Sequence, residues 1–301
     1  MAYTKAYTYY PGCSLHGSAR HCQESLFAVF NALDLELREL PDWNCCGATT
    51  YMSVDEHQAF ALGARNLAIA ERIGLEIVAP CTACLMILRK TQDYLARYPD
   101  LRTKIEAGLA AIGLKYQGTA QIYHPLEILL RDVGLKELKA RVKNPLSQWN
   151  VAAYYGCLIA RPYALHGGLT LEDFDQLVPA LGAHLVDFEL KDRCCGGSLT
   201  GTIEDVGQRL VYIILHQAKR AKADVIVTLC PLCQFNLESH QAKIQRQYGE
   251  DVTIPIPYFT QLIGMALGLS AKSLGLARLL VPIPWQAEER GPATAQRATA
   301  A

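Results

Sequence analysis

Ten of the eleven cysteines in this 301-residue chain fall into two sets with one shared pattern. The first set is Cys13, the adjacent pair Cys45 and Cys46, and the Cys-x-x-Cys of Cys81 and Cys84. The second is Cys157, the pair Cys194 and Cys195, and the Cys-x-x-Cys of Cys230 and Cys233. Lone cysteine and pair are separated by 31 residues in the first set and 36 in the second; pair and Cys-x-x-Cys are separated by 34 in both. Cys22 alone stands outside. Such a pattern requires two equivalent thiolate sites, and so a chain that folds as a duplication.

A chain of this length can bury a full core without covalent staples, so the cysteines are not needed as a disulfide framework. The N-terminal residues hold no apolar signal region, and no apolar run is long enough to span a bilayer. The expected location is the cytoplasm, where thiols stay reduced and dense cysteine patterns serve metals or catalysis. Lys+Arg and Asp+Glu are both 29. A neutral chain argues against nucleic-acid backbone binding, which needs a basic surface.

Strand and helix patterns alternate along both halves. Strands are expected at 3–10, 35–40, 76–79, 121–123, 150–155, 184–188 and 224–229, and helices at 20–33, 55–73, 82–98, 171–181 and 203–221. Thr82 is expected to cap the helix that carries Cys84, and proline opens helices at Pro125 and Pro231. The order implies an α/β fold of two pseudo-symmetric repeats with mostly parallel sheets. Cys13, Cys81, Cys157 and Cys230 each follow a strand, which puts the sites at the carboxyl ends of the strands, beside helix N-termini. Tyr123-His-Pro-Leu-Glu-Ile-Leu lines up with Tyr258-Phe-Thr-Gln-Leu-Ile-Gly. The expected units are residues 1–145, residues 146–284 and a disordered tail over 285–301.

A structural zinc takes four ligands, and so does a cubane iron–sulfur cluster, leaving one cysteine of each set over. Adjacent cysteines point apart and reach different metals, and Gly47 and Gly196-Gly197 let the backbone approach a bulky group. The spacing favours a larger iron–sulfur assembly over zinc but leaves both open. A thioredoxin-type reading uses only four of the ten cysteines.

These words, with Tyr10-Pro-Gly-Cys13, Asn44-Cys-Cys-Gly47 and Cys230-Pro-Leu-Cys233, resemble the duplicated cysteine-rich CCG domain of the heterodisulfide reductase B-type subunit family, sulfur-oxidation relatives included. The resemblance spans about residues 7–282. It implies one non-cubane [4Fe–4S] cluster on Cys13, Cys45, Cys46, Cys81 and Cys84, and another on Cys157, Cys194, Cys195, Cys230 and Cys233, with zinc in one set as the alternative. It also implies catalysis through the clusters held by Cys13, Cys45, Cys46, Cys157, Cys194 and Cys195. The chemistry would be making or breaking S–S bonds in a heterodisulfide, persulfide or lipoate-type substrate, free or carrier-bound. Its implied partners are a ferredoxin-like iron–sulfur C subunit and a flavin-containing A subunit.

His16, Arg161 and His166 flank the lone cysteines and are the candidate substrate residues, Arg161 with His166 to hold a substrate anion and His16 to donate hydrogen bonds or relay protons. His21 is the other histidine near Cys13. Cys22 is read as a small buried thiol, His124 as structural, and the tyrosines at 9–10 and 154–155 as packing. The apolar stripe 262–269 is read as core or subunit contact. The expectation is an oxidoreductase acting on sulfur groups within a complex. The alternatives are a non-catalytic electron-transfer or scaffold subunit, and a quinone- or lactate-linked membrane complex.

Overall fold

A computed structural model of the chain describes residues 4–49, 51–160 and 169–285. The first half runs β1 (Lys5–Tyr9), α1 (Gly12–His16), α2 (Arg20–Ala32), β2 (Leu35–Glu39), α3 (Tyr51–Val54), α4 (Glu56–Ile73), β3 (Ile77–Val78), α5 (Thr82–Arg97), α6 (Pro99–Ala111), β4 (Ile122–Tyr123) and α7 (Pro125–Ile128). A π-helical turn (Leu129–Val133) and α8 (Leu135–Ala140) lead to the second half. That half runs β5 (Asn150–Tyr154), α9 (Cys157–Ala160), α10 (Leu171–Ala180), β6 (His184–Leu185), α11 (Glu204–Arg220), β7 (Val225–Thr228), α12 (Pro231–Ser239), α13 (Gln241–Tyr248) and α14 (Phe259–Ala266).

Both sheets are parallel, in the orders β2-β1-β3-β4 and β6-β5-β7. The expected α/β fold of two repeats is therefore found. The missing fourth strand of the second sheet has a chemical cause. Residues 254–258 read Ile-Pro-Ile-Pro-Tyr, and the carbonyls of Pro255 and Pro257 accept from Ile226 and Thr228 at 3.0 and 3.1 Å. In the first sheet Gln121 and Tyr123 accept from Ile77 and Ala79 at 2.7 and 2.9 Å. The two arrangements match, but proline has no N–H to return a bond, so the ladder stays one-sided.

Alternate residues of each strand face opposite layers. Val151 and Ala153 enter a core with Phe30, Trp149, Phe174 and Phe259, whereas Ala152 and Tyr154 enter one with Phe60, Leu88, Val211 and Leu237. Each core draws residues from both halves, so the two repeats are fused along both faces. All of α14 is buried, and Ser25 of α2 meets Thr260 of α14 at 2.6 Å. The apolar stripe that begins at Leu262 is thus interior.

Sequence patterns set most boundaries. Asp55 caps α4 through the N–H groups of His57 and Gln58, and Gly74 ends it in the left-handed conformation, with φ 74°. Three expectations need correction. Cys81, not Thr82, is the N-cap of α5, and Thr82 is its first helical residue. The strand expected over 184–188 stops at Leu185: Val186 still bonds the Val151 carbonyl, and the chain then turns so that Lys191 O accepts from Tyr155 and Gly156. In the repeat, Tyr258 matches His124 and not Tyr123. Both are helix N-caps, answered three residues on by Glu127 and Gln261.

Candidate metal centre

The carboxyl ends of two neighbouring strands in each sheet, β1 and β3 in the first and β5 and β7 in the second, deliver the lone cysteine and the Cys-x-x-Cys, as expected. Cys13 lies in α1 just past β1 and Cys157 starts α9 past β5; Cys81 and Cys230 are the N-caps of α5 and α12. Helix N-termini favour the thiolate form. The adjacent pairs enter on the loops that follow β2 and β6.

The sulfurs gather by set. Cys46 and Cys84 Sγ lie 3.3 Å apart, and Cys195 and Cys233 Sγ 3.4 Å apart. Cys13 hydrogen-bonds to Cys45, and Cys157 to Cys194. Cys81 and Cys230 Sγ stand 4.0 Å apart across the two halves. All ten cysteines thus form one band along the junction, with Cys13 and Cys45 exposed at one side. Among the described residues no three His, Cys, Asp or Glu side chains converge on a single-ion site.

Crowded thiols cannot all ionise, so one sulfur of each group takes the charge. Cys45 is held down to about 2 because Cys13 and then Cys46 donate to it. Those contacts push Cys13 far up and Cys46 to about 12. Buried Cys230 is held well below the thiol range by Cys233 first and Cys81 second. Cys81, Cys84 and Cys233 are pushed well above it, each mainly by a neighbouring cysteine.

The backbone leaves room beside these sulfurs. Gly12 has φ +63°, and a Cβ there would lie 2.9 Å from Cys84 Sγ. At Gly156, with φ +76°, a Cβ would lie 3.4 Å from Cys233 Sγ. Glycine avoids both the left-handed strain and the contact. Five soft thiolates beside such a cradle fit a multi-iron cluster.

Tyrosines expected only to pack do more. Tyr10 OH donates to the carbonyl of Asn44 at 2.8 Å, and Tyr154 OH to that of Arg193 at 2.6 Å. Each braces the residue just before a Cys-Cys pair. Asn66 grips Asn44 from the other side, accepting from its N–H and donating to its carbonyl. The signal was available: Tyr10 and Tyr154 stand at the same distance before Cys13 and Cys157.

The halves also lock each other. His124 Nε2 meets the carbonyl of Leu229 at 2.9 Å, and Tyr258 OH donates to that of Pro80 at 2.8 Å. Each side chain reaches the residue before the other half's Cys-x-x-Cys.

Of the expected substrate residues, His16 is exposed at the end of α1, 3.3 Å from Glu39, with its ring against Trp43. Arg161 and His166 lie outside the described residues, as does the tail from 286 onward. His21 is buried on α2 with no partner for Nε2, and Cys22 is fully buried. A cavity of about 380 Å³ opens beside the second set, reaching Cys157, Cys194, Cys195, Cys230 and Cys233. Its other walls include Met52, Met86, Leu158 and Lys90, none of them singled out by the sequence.

Known proteins agree with this architecture. Residues 7–89 and 151–238 match the cysteine-rich domain family CCG, and the chain belongs to that family as a tandem of two such domains. It is 35% identical over 275 residues to the 8-methylmenaquinol:fumarate reductase membrane anchor subunit of Wolinella succinogenes, covering 90% of this chain and 95% of that one. It is 29% identical over 271 residues to the B-type subunit of a ferredoxin:CoB-CoM heterodisulfide reductase of Methanosarcina mazei, covering 88% and 90%. A protein of Archaeoglobus profundus, named for its likeness to the heterodisulfide reductase B-type subunit, is 29% identical over 276 residues, covering 89% and 92%. A hypothetical protein from Helicobacter pylori shares the fold, with a TM-score of 0.77 at 15% identity, over 93% of this chain and 52% of that one. Among the described residues no helix is long and apolar enough to cross a membrane.

Proposed function

We propose that the chain is an iron–sulfur oxidoreductase subunit that makes or breaks S–S bonds at two non-cubane [4Fe–4S] clusters, one on each five-cysteine set. The observation that carries this reading is the 4.0 Å approach of Cys81 and Cys230, which joins two five-sulfur sets into one centre. Relatives named for heterodisulfide reductase support it. In this reading residues 1–145 and 146–284 are the two cluster-bearing units of a cytoplasmic complex. An iron–sulfur C subunit and a flavin-containing A subunit exchange electrons with it.

Bound clusters would supply one-electron chemistry and soft sites for sulfur. Reduction breaks one S–S bond, consumes two electrons and two protons, and yields two thiols; the iron–sulfur partner supplies the electrons. The chain's own part is to hold ten thiolates, to leave space through Gly12 and Gly156, and to fix the two Cys-x-x-Cys turns through His124 and Tyr258.

A second reading is an electron-transfer subunit of a quinol-linked complex that binds no sulfur substrate. The Wolinella relative, named for menaquinol:fumarate reduction, favours it. Anaerobic purification followed by iron, sulfide and zinc counts tests the cluster reading. About eight irons per chain are expected for two four-iron clusters. Zinc without iron after reconstitution overturns it, and clusters that ignore added thiol favour the second reading.

A further inference from the structure

The second half carries a buried acid that the duplication does not explain. Counted from the Cys-x-x-Cys, Gln234 and Glu238 of α12 correspond to Leu85 and Arg89 of the first half. Glu238 is 4% exposed and Gln234 not at all. The Glu238 carboxyl accepts from the N–H of Val281 at 3.1 Å and from Gln234 Nε2 at 2.8 Å. Buried Glu127 has Arg89 beside it at 2.9 Å, but among the described residues no cation pairs with Glu238. Arg278, on the segment that covers α12, is taken by Glu24 at 3.1 Å. Burial is the main influence on Glu238 and raises its pKa.

Across from Gln234 stands His21 of the first half. Nε2 of His21 and Oε1 of Gln234 are both buried without a closed hydrogen bond, and the Gln234 amide acts on the ring as an acceptor. Burial is the larger influence and keeps this histidine neutral by lowering its pKa. The amide between acid and imidazole has two usable orientations. With Glu238 ionised, Gln234 donates to the carboxylate, as found. With Glu238 protonated, the carboxyl donates to the Gln234 oxygen, and the turned amide donates to His21 Nε2. The second arrangement closes the bond that the first leaves open, so the acid gains a proton without stranding a buried group.

Cys22 ties this acid to the metal centre. Fully buried on α2, its thiol feels the charges of Cys230, Glu238 and Cys81 together. The remaining charged groups around the acid and its imidazole are Glu24 and Arg278, which already bind each other. Charges interact strongly in such an interior, so negative charge added at the Cys81–Cys230 approach favours the protonated acid. We infer, resting on the cluster reading above, that Glu238 binds a proton whenever the centre is reduced. One electron from the iron–sulfur partner and one proton from water enter together: the cluster is reduced, the carboxylate becomes a carboxyl, and the net charge of the interior is unchanged. Glu238 touches neither the substrate nor a cluster ligand; it acts through the potential of the centre.

The test is a redox titration of the full chain, reconstituted anaerobically and followed by electron paramagnetic resonance, at several pH values from about 6 to 8. Uptake of one proton per electron should lower the midpoint potential by about 59 mV for each tenfold fall in proton concentration. Glu238→Gln keeps an acceptor for Val281 and cannot titrate, so its potential should be flat over the same range. His21→Leu removes the acceptor for the turned amide and should move the upper end of the sloping range to lower pH. A flat native line, or a slope retained in Glu238→Gln, overturns the inference while the cluster reading stands. If Glu238→Gln fails to take up iron, His21→Leu decides: an unmoved range overturns the inference. A native chain that takes up no iron overturns both readings.

Discussion

The imidazole of His124 lies 2.9 Å from the main-chain oxygen of Leu229, the residue that positions Cys230. The same ring accepts from the N–H of Leu126 through Nδ1 at 3.2 Å. With Nδ1 an acceptor, the proton sits on Nε2 and is donated across the junction of the halves. Adding a second proton would bury a charge and set two donors against each other at Nδ1. Burial is the main cause that lowers this histidine to about 4.

A pH dependence follows with a definite sign. The folded pKa lies below the unfolded value of about 6.5, so the unfolded chain binds more protons between the two. Stability from His124 is complete above about pH 6.5 and is lost as pH falls toward 4, by about 3 kcal/mol. Denaturant titrations at pH 7 and pH 4.5 should show this loss in the native chain. In His124→Gln the acid-induced loss should be clearly smaller; equal losses would refute the assignment.

Tyr258 performs the reciprocal task without a titrating proton. Tyr258→Phe removes the tyrosine donor to the buried Pro80 carbonyl, at a cost of about 1 kcal/mol. The loss should be independent of pH between 4.5 and 7, which separates it from the His124 effect. A pH-dependent loss would mean that the Tyr258 bond is tied to the protonation of His124 and is no separate lock.

How far the sequence revealed this centre can be judged from single residues. The cysteine spacing, Pro-Gly before Cys13 and apolar strands before Cys81 and Cys230 placed Cys13, Cys81, Cys157 and Cys230 at strand ends and the adjacent pairs in loops, because strand period and turn chemistry are local properties. The cross-half bonds of His124 and Tyr258 were not legible, since their partners are main-chain carbonyls 105 and 178 residues away. Lys90 was hidden for the same reason: on α5 it reads as an ordinary exposed-face lysine until α9 and the second set close the cavity around it. The fourth strand of the second sheet was obscured by Pro255 and Pro257, which accept ladder bonds but cannot return them.

The glycine cradle can be separated from simple backbone strain. Gly12→Ala meets Cys84 Sγ at 2.9 Å, whereas Gly113→Ala, at φ +70°, meets nothing within 4 Å. Both should be destabilised by about 1–2 kcal/mol from the left-handed conformation. Only Gly12→Ala should lower iron uptake by the first set, read as a loss of about half the bound iron. Equal iron contents in the two variants would remove Gly12 from the site.

Metal loading should also displace protons. Without metal, Cys13 and Cys46 keep theirs, because Cys45 is the sulfur that ionises and they donate to it. Cys81, Cys84 and Cys233 are pushed up in the same way by their neighbours. Thiolates are the ligands, so each of these protons must leave as iron binds. Apparent iron affinity should therefore fall steeply as pH drops from about 8 to 6, and reconstitution in weak buffer should acidify the solution. Cys22 is protonated as well, through burial, yet Cys22→Ala should leave the proton count unchanged, since its thiol belongs to neither set. A chain that binds iron with no proton release would show that the thiols are already ionised, and that the hydrogen-bonded arrangement of Cys13, Cys45 and Cys46 does not exist in solution.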